Sequence, residues 1–324
     1  DLTGAEEAIL PSWRGVGTTD VDLGLVRAFG AVEMALWDVR GKASGQSLSL
    51  LLGGAHRKAI AVTDYFAFRE PQDGKGGEAS PEAVVDYCLD LHARFGTTMF
   101  EGKLSTDDPR PAIETVERLR AALGPDALIR IDSNKAYSLT AARSIARALE
   151  PLDIRCWEDP VGTFEEMAAL RASTAIPFSV HTPDLRRAVT LGAPDAFCTD
   201  ITIHGGIGRT LRFMAACEAM GKDFWFYSGD SGVATAAYLH LSAIHPFVRE
   251  PAQSLFRMQV FDVIEEGPFA PINNLVPVPT GPGLGVTVSD DRLAFAHRHF
   301  VEHGPFNKYH DPNRPGVHRR LPLS

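Results

Sequence analysis

Cysteine is scarce in this chain of 324 residues. Cys88, Cys156, Cys198 and Cys217 stand far apart, with no Cys-x-x-Cys pair among them. A chain this long buries about 75% of its unfolded surface and needs no disulfide staples. The thiols are therefore expected to be buried, in a reducing, cytoplasmic compartment. No stretch approaches the roughly 18 consecutive apolar residues of a membrane helix. The opening residues, Asp1 to Glu7, lack the basic-then-apolar pattern of a secretion signal. Positive charge is in deficit, with 32 Lys and Arg against 41 Asp and Glu and a net charge of −9. That balance disfavours nucleic acid or an anionic membrane as partner and leaves a small molecule as the expected one. Internal repeats and low-complexity tracts are absent too.

What is present is an alternation. Leu23, Val26, Phe29, Val32, Leu36 and Val39 recur at helical spacing, which predicts a helix over 22–40 ended by Gly41 and Gly45. Ser47–Leu52 reads as an apolar turn closed by Gly53 and Gly54. Strand-like runs then follow at 59–68, 97–104, 128–132, 154–158, 176–181, 196–203 and 224–228, each trailed by a helix-like stretch. Seven β-then-α units predict parallel strands joined by crossover helices. A doubly wound open sheet usually carries a glycine-rich phosphate turn after its first strand. Here the first run leads into Arg69, Glu70 and Pro71 instead. A (β/α)8 TIM-type barrel is the better reading, with Ala252–Leu255 as its eighth strand. Gln72–Ser80 reads as a mobile loop. Met258–Glu265 and Leu275–Pro279 read as strands, Asp290–His303 as a helix, and the segment from Gly304 as an irregular tail. The expected division is a cap remnant at 1–56, the barrel at 57–256 and a C-terminal segment at 257–324 that returns to the cap.

In a barrel, catalytic groups sit at the C-terminal ends of the strands. Those ends carry Lys103, Asp132, Glu158, His181, Asp200 and Tyr227 in successive runs. Carboxylates gathered at one mouth repel each other unless a cation sits between them. Asp132, Glu158 and His181 are therefore candidate metal ligands. Oxygen donors suit Mg²⁺, and the imidazole also admits Mn²⁺ or Zn²⁺. Lys103, one strand earlier, can reach the same centre as a base. Asn134, two residues beyond Asp132, points to the same face if the chain stays extended, as a substrate contact or a turn cap. Tyr227 and Ser228 are further candidate substrate contacts.

The segment Ala35-Leu36-Trp37-Asp38-Val39-Arg40-Gly41-Lys42, followed by Leu51-Leu52-Gly53-Gly54, resembles the enolase superfamily, in its mandelate racemase/muconate lactonising branch. Ile131-Asp132-Ser133-Asn134 and Trp157-Glu158-Asp159-Pro160 resemble that branch's first two metal-ligand strands. Pro282-Gly283-Leu284-Gly285-Val286 and the tail with Pro312-Asn313-Arg314-Pro315 look most like the glucarate dehydratase subgroup. The resemblance implies a barrel with an α+β cap built from both chain ends; only part of that cap's N-terminal sheet precedes Trp37-Asp38 here, so either the given chain is a fragment or the cap is reduced. The resemblance also implies a homo-oligomer and a Mg²⁺ enzyme that removes the α-proton of a hydroxylated carboxylate. In acid-sugar dehydratases the β-hydroxyl then leaves as water, giving a 2-keto-3-deoxy acid.

The departures from the family pattern shape the expectation. Where the family ends its second strand in Lys-x-Lys, this chain has Glu101-Gly102-Lys103. His181 stands where a Glu, Asp or Asn is usual. Asp200 matches the subgroup's strand-six aspartate, yet strand seven brings Phe226-Tyr227-Ser228 and no histidine. Racemisation needs a second base, which Asp230 or Tyr227 would have to supply. Dehydration needs Lys103 as base and an acid from Tyr227, His204 or a metal-held water. The expected function is thus a dehydratase-like lyase. A racemase or epimerase, a barrel that binds metal without turnover and a Zn²⁺ hydrolase are its rivals.

Overall fold

The computed structural model describes residues 2–9, 20–69, 76–103, 108–227, 231–259 and 261–304. Helices α1 (Leu2–Ile9), α2 (Asp20–Ser44) and α3 (Leu48–Leu51) precede strands β1 (Ala59–Ala61) and β2 (Asp64–Ala67). The repeating part then runs α4 (Pro81–Phe95), β3 (Met99–Lys103), α5 (Pro109–Leu123), β4 (Leu128–Asp132), α6 (Leu139–Leu149), β5 (Cys156–Glu158), α7 (Phe164–Arg171) and β6 (Phe178–Val180). It continues through α8 (Leu185–Leu191), β7 (Ala196–Thr199), α9 (Ile201–His204), α10 (Ile207–Ala219), β8 (Asp223–Phe226) and α11 (Gly232–Ile244). β9 (Leu275–Pro277) and α12 (Asp290–His303) follow.

Strands β2 to β8 pair in sequence order, all parallel, in one curled sheet. The residues expected as an eighth strand do not form one. They close the ring through three backbone hydrogen bonds instead. The Gln253 N–H donates to the Phe226 carbonyl at 2.8 Å on one side, and Ala252 exchanges hydrogen bonds with Ala61 and Thr63 on the other. Pro251, which has no N–H to give a ladder, stands at the start of this short crossing. The result is a TIM-type barrel.

Three other expectations shift. The first strand run divides: Ala59–Ala61 pairs antiparallel with β9, and the barrel strand begins only at Asp64. The run at 196–203 stops at Thr199, because Asp200 caps α9 by accepting from the Ile203 N–H at 2.8 Å. Met258–Glu265 forms no strand among its described residues; a 3₁₀ turn at Phe256–Met258 replaces its start. The apolar turn at Ser47–Leu52 contains the helical turn α3, capped by Ser47. Residues 72–75 of the expected loop and the tail beyond Gly304 lie outside the described residues.

Local sequence sets the helix starts. Ser80, Asp108, Ser138, Thr163 and Asp184 each accept a backbone N–H of the first turn, and Pro81 and Pro109 open α4 and α5. The main core lies between sheet and helices. Phe100, Ile129, Ile131, Trp157, Phe178, Phe197, Phe224 and Phe226 face outward into it, each worth about 1.5–3 kcal/mol when buried. The alternate residues face the barrel axis. Cys156, Cys198 and Trp225 pack there, with Arg130 stacked 4.5 Å from the Trp225 ring centroid. All four cysteines are buried and free. Among the described residues no helix is long and apolar enough to cross a membrane.

The helix expected at 22–40 is longer, and its apolar stripe divides. Val26 and Phe29 are buried, while Val32 and Val39 are 47% and 62% exposed. Met34 and Trp37 of α2 pack on the main core, and a polar contact ties the helix to the barrel as well. Glu33 accepts the N–H groups of Ile207 and Gly208 at the start of α10 and is held by Trp37 Nε1 at 2.9 Å. The C-terminal part reaches the same helix through Asp38, which accepts the Leu284 N–H at 2.8 Å. Gly283, at φ +68°, permits that approach: a Cβ there would lie 2.2 Å from Asp38 Oδ1.

Candidate active site at the barrel mouth

The register places Lys103 beside Asp132, and Asp132 beside Glu158. The Lys103 ammonium donates to Asp132 Oδ2 and reaches Asn134 Oδ1 at 3.3 Å. Burial pulls the Lys103 pKa down, but the Asp132 carboxylate outweighs it and holds the ammonium above its ordinary value. Both oxygens of Asp132 are hydrogen-bonded: Tyr65 also donates to Oδ2 at 3.3 Å and the Asn134 N–H to Oδ1 at 2.8 Å. Asn134 itself does not stay extended. It turns to φ +51°, which ends β4 and swings its amide toward Lys103.

Glu158 and His181 meet next. Oε1 of Glu158 lies 2.6 Å from Nε2 of His181, an ion-pair distance without the direction of a hydrogen bond. Burial, then the charge of Asp132, raises the Glu158 pKa. Burial lowers that of His181, but the Glu158 carboxylate outweighs it and raises it. His181 Nδ1 donates to the Cys198 carbonyl at 2.6 Å, since a carbonyl only accepts. Among the described residues, Glu158, His181 and Cys198 form a group whose ligand atoms lie within 4.8 Å of one another. Asp132 is not part of that group; its oxygens are turned to Lys103, Tyr65 and the Asn134 backbone.

These residues fit a divalent cation. Two buried carboxylates on adjacent strands repel each other, Glu158 Oε1 has no hydrogen-bond donor, and an imidazole with its Nδ1 already committed sets Nε2 2.6 Å from that oxygen. Asp159 Oδ1 and Ser179 Oγ, buried nearby, are likewise without partners.

Beyond His181 the mouth continues with Tyr227, whose ring packs edge-on against the imidazole at 4.9 Å between centroids. The Tyr227 hydroxyl donates to Asp200 Oδ2 at 2.7 Å. Burial raises the Asp200 pKa, but hydrogen bonds from Thr202, Tyr227 and the Ile203 N–H outweigh it and hold the carboxylate below its ordinary value. His204, weighed as an acid, is not at this site. It sits buried against Phe213, 2.7 Å from Thr199 Oγ1, and burial pushes its pKa down to about 4. Ser228 and Asp230 lie outside the described residues.

Several supporting residues escape a reading of strand ends. Glu101, one layer below Lys103, is fully buried and pairs with Arg130 at 3.1 Å. Gln253 bridges Glu101 at 3.0 Å and Glu158 at 3.4 Å. Alternation on β3 and β4 could have found the Glu101–Arg130 pair, since each stands two residues before a mouth residue. Nothing local marks Tyr65 or Gln253.

Residues 83–292 match the enolase C-terminal domain-like family, and residues 16–53 match the mandelate racemase/muconate lactonizing enzyme N-terminal domain. A probable glucarate dehydratase of Streptomyces coelicolor is 30% identical over 305 residues, covering 89% of this chain and 69% of that protein. A chloromuconate cycloisomerase of Cupriavidus pinatubonensis is 28% identical over 280 residues, covering 83% and 72%. A crystal structure of a Gibberella zeae enolase, complexed with magnesium, formate and sulfate, superposes with a TM-score of 0.80 at 26% identity, over 87% of this chain and 69% of that one. The chain belongs to the enolase superfamily, in its mandelate racemase/muconate lactonising enzyme branch.

Proposed function

We propose that this protein is a divalent-metal-dependent dehydratase of a hydroxylated carboxylate, of the acid-sugar type, yielding a 2-keto-3-deoxy acid. The observation that carries the reading is the order of groups around the mouth. Lys103 on Asp132 stands on one flank of Glu158 and His181, and Tyr227 on Asp200 stands on the other.

Asp132, Glu158 and His181 would hold the cation. When bound, it supplies positive charge that offsets the clustered carboxylates, favours the neutral amine of Lys103 and attracts the substrate carboxylate. Lys103 Nζ then takes the proton from the carbon beside that carboxylate. Asn134, within reach of Lys103, contacts the substrate's hydroxyls. Tyr227 gives a proton to the departing β-hydroxyl, which leaves as water, and the resulting enol becomes the keto acid. Asp200 positions the phenol. The family pattern's histidine is thereby replaced with a group that donates better than it accepts near neutral pH. This favours dehydration over racemisation, which needs a second base. The dehydratase name of the Streptomyces relative supports the same class.

The test is a screen of the Mg²⁺- or Mn²⁺-loaded chain against hexarates and aldonates, with detection of 2-keto-3-deoxy products. Product that disappears in Lys103→Ala supports the reading. No product from any acid while the metal stays bound contradicts it.

A further inference from the structure

The third ligand position carries an imidazole, and its orientation is set by the fold. His181 follows β6 directly, and its Nδ1–H is committed to the Cys198 carbonyl at 2.6 Å on the neighbouring strand. A neutral ring so held has its lone pair on Nε2, the tautomer a metal needs. Nε2 lies 2.6 Å from Oε1 of Glu158, so the two donor atoms stand side by side. Behind them the Cys198 thiol completes a group of oxygen, nitrogen and sulfur atoms within 4.8 Å of each other. Tyr227 packs against the ring in a T-shaped contact, 4.9 Å between centroids.

Donor type selects among divalent ions. Carboxylate and carbonyl oxygens suit Mg²⁺, which binds nitrogen reluctantly, whereas imidazole suits the first-row transition ions. We propose that His181 gives this centre a nitrogen ligand, and that the site consequently selects Mn²⁺ and later first-row ions over Mg²⁺. The inference rests on the metal-dependent reading above and extends it to the identity of the ion.

The experiment uses the full chain loaded with Mn²⁺. Pulsed electron paramagnetic resonance reads a ¹⁴N coupling from an imidazole ligand directly, without any turnover. The wild-type protein is expected to show that coupling, and His181→Asn, which offers an amide oxygen, is expected to lose it. In parallel, the chain is dialysed against Mn²⁺ with an excess of Mg²⁺ and its metal content measured. His181→Asn is expected to lower the Mn²⁺ preference about tenfold or more. The spectrum of the wild-type protein stands even if the variant fails to fold. Bound Mn²⁺ without nitrogen coupling overturns the inference and leaves the dehydratase reading intact. Coupling without dehydration of any acid in the panel upholds the inference and overturns that reading. A chain that binds no divalent ion overturns both.

Discussion

Tyr227 donates its phenolic proton to Asp200 across 2.7 Å, joining the ends of two adjacent barrel strands. The resemblance to acid-sugar dehydratases calls for a histidine opposite that aspartate. The structure supplies a tyrosine. The substitution exchanges a group able to accept a proton near neutral pH for one that gives it up only to a strong base.

Tyr227→Phe separates the two halves of the reaction. Loss of the acid is expected to lower dehydration by about 10²–10⁴-fold. Exchange of the substrate's α-proton with deuterated solvent should persist, because Lys103 remains. Mass spectrometry of the recovered substrate and the product assay, run together, check this. Equal loss of both activities would show that Tyr227 does not serve as the acid alone.

The Glu101–Arg130 pair supports the mouth from one layer below, with Glu101 and Arg130 0% and 1% exposed at the side chain. Removing one partner leaves the other charge buried and unpaired, at a cost of about 3–5 kcal/mol. Arg130→Met is expected to be destabilised by that amount in urea titration. The double variant Glu101→Gln with Arg130→Met should recover much of it, since no bare charge remains. A double variant no more stable than Arg130→Met would contradict the account.

His204 predicts a pH dependence of stability. Burial pushes its pKa down to about 4 from the ordinary 6.5. Above pH 6.5 the ring is neutral in both folded and unfolded chains, and its contribution is fully present. As pH falls from there through 4, the unfolded chain takes up a proton first, and about 3 kcal/mol is lost at 1.36 kcal/mol per unit. His204→Gln keeps a polar partner for Thr199 and should lose less stability between pH 7 and pH 4.5 than the wild-type protein. Parallel slopes for the two would refute the assignment.

The strand-end residues were legible because parallel strands impose a period of two. A polar residue at the end of an apolar run is thereby placed at the mouth, beside its counterpart on the next strand. That reasoning led to Lys103, Asp132, Glu158, His181, Asp200 and Tyr227 as residues of one mouth, where Lys103 meets Asp132, Glu158 meets His181, and Tyr227 meets both His181 and Asp200. It could not specify which atoms meet. Asp132 turns to Lys103 rather than to Glu158 and His181, a choice made by Tyr65 and the Asn134 backbone. The closing segment was legible only in position. Ala252 and Gln253 bridge the ring with three backbone hydrogen bonds, too few to impose a strand pattern on the sequence. The run past Thr199 was misread because Ile201 and Ile203 suit a strand as well as a helix, and the Asp200 cap decided between them.

Lys103 is the centre of the account. The most direct test places the metal-loaded protein and its acid-sugar substrate in deuterated water and follows loss of the α-proton in wild type and Lys103→Met. The account predicts exchange and keto-acid formation in the wild-type protein, and loss of both by about 10²–10⁴-fold in the variant, with metal still bound. Exchange at the wild-type rate in Lys103→Met would contradict it and require another base at the mouth.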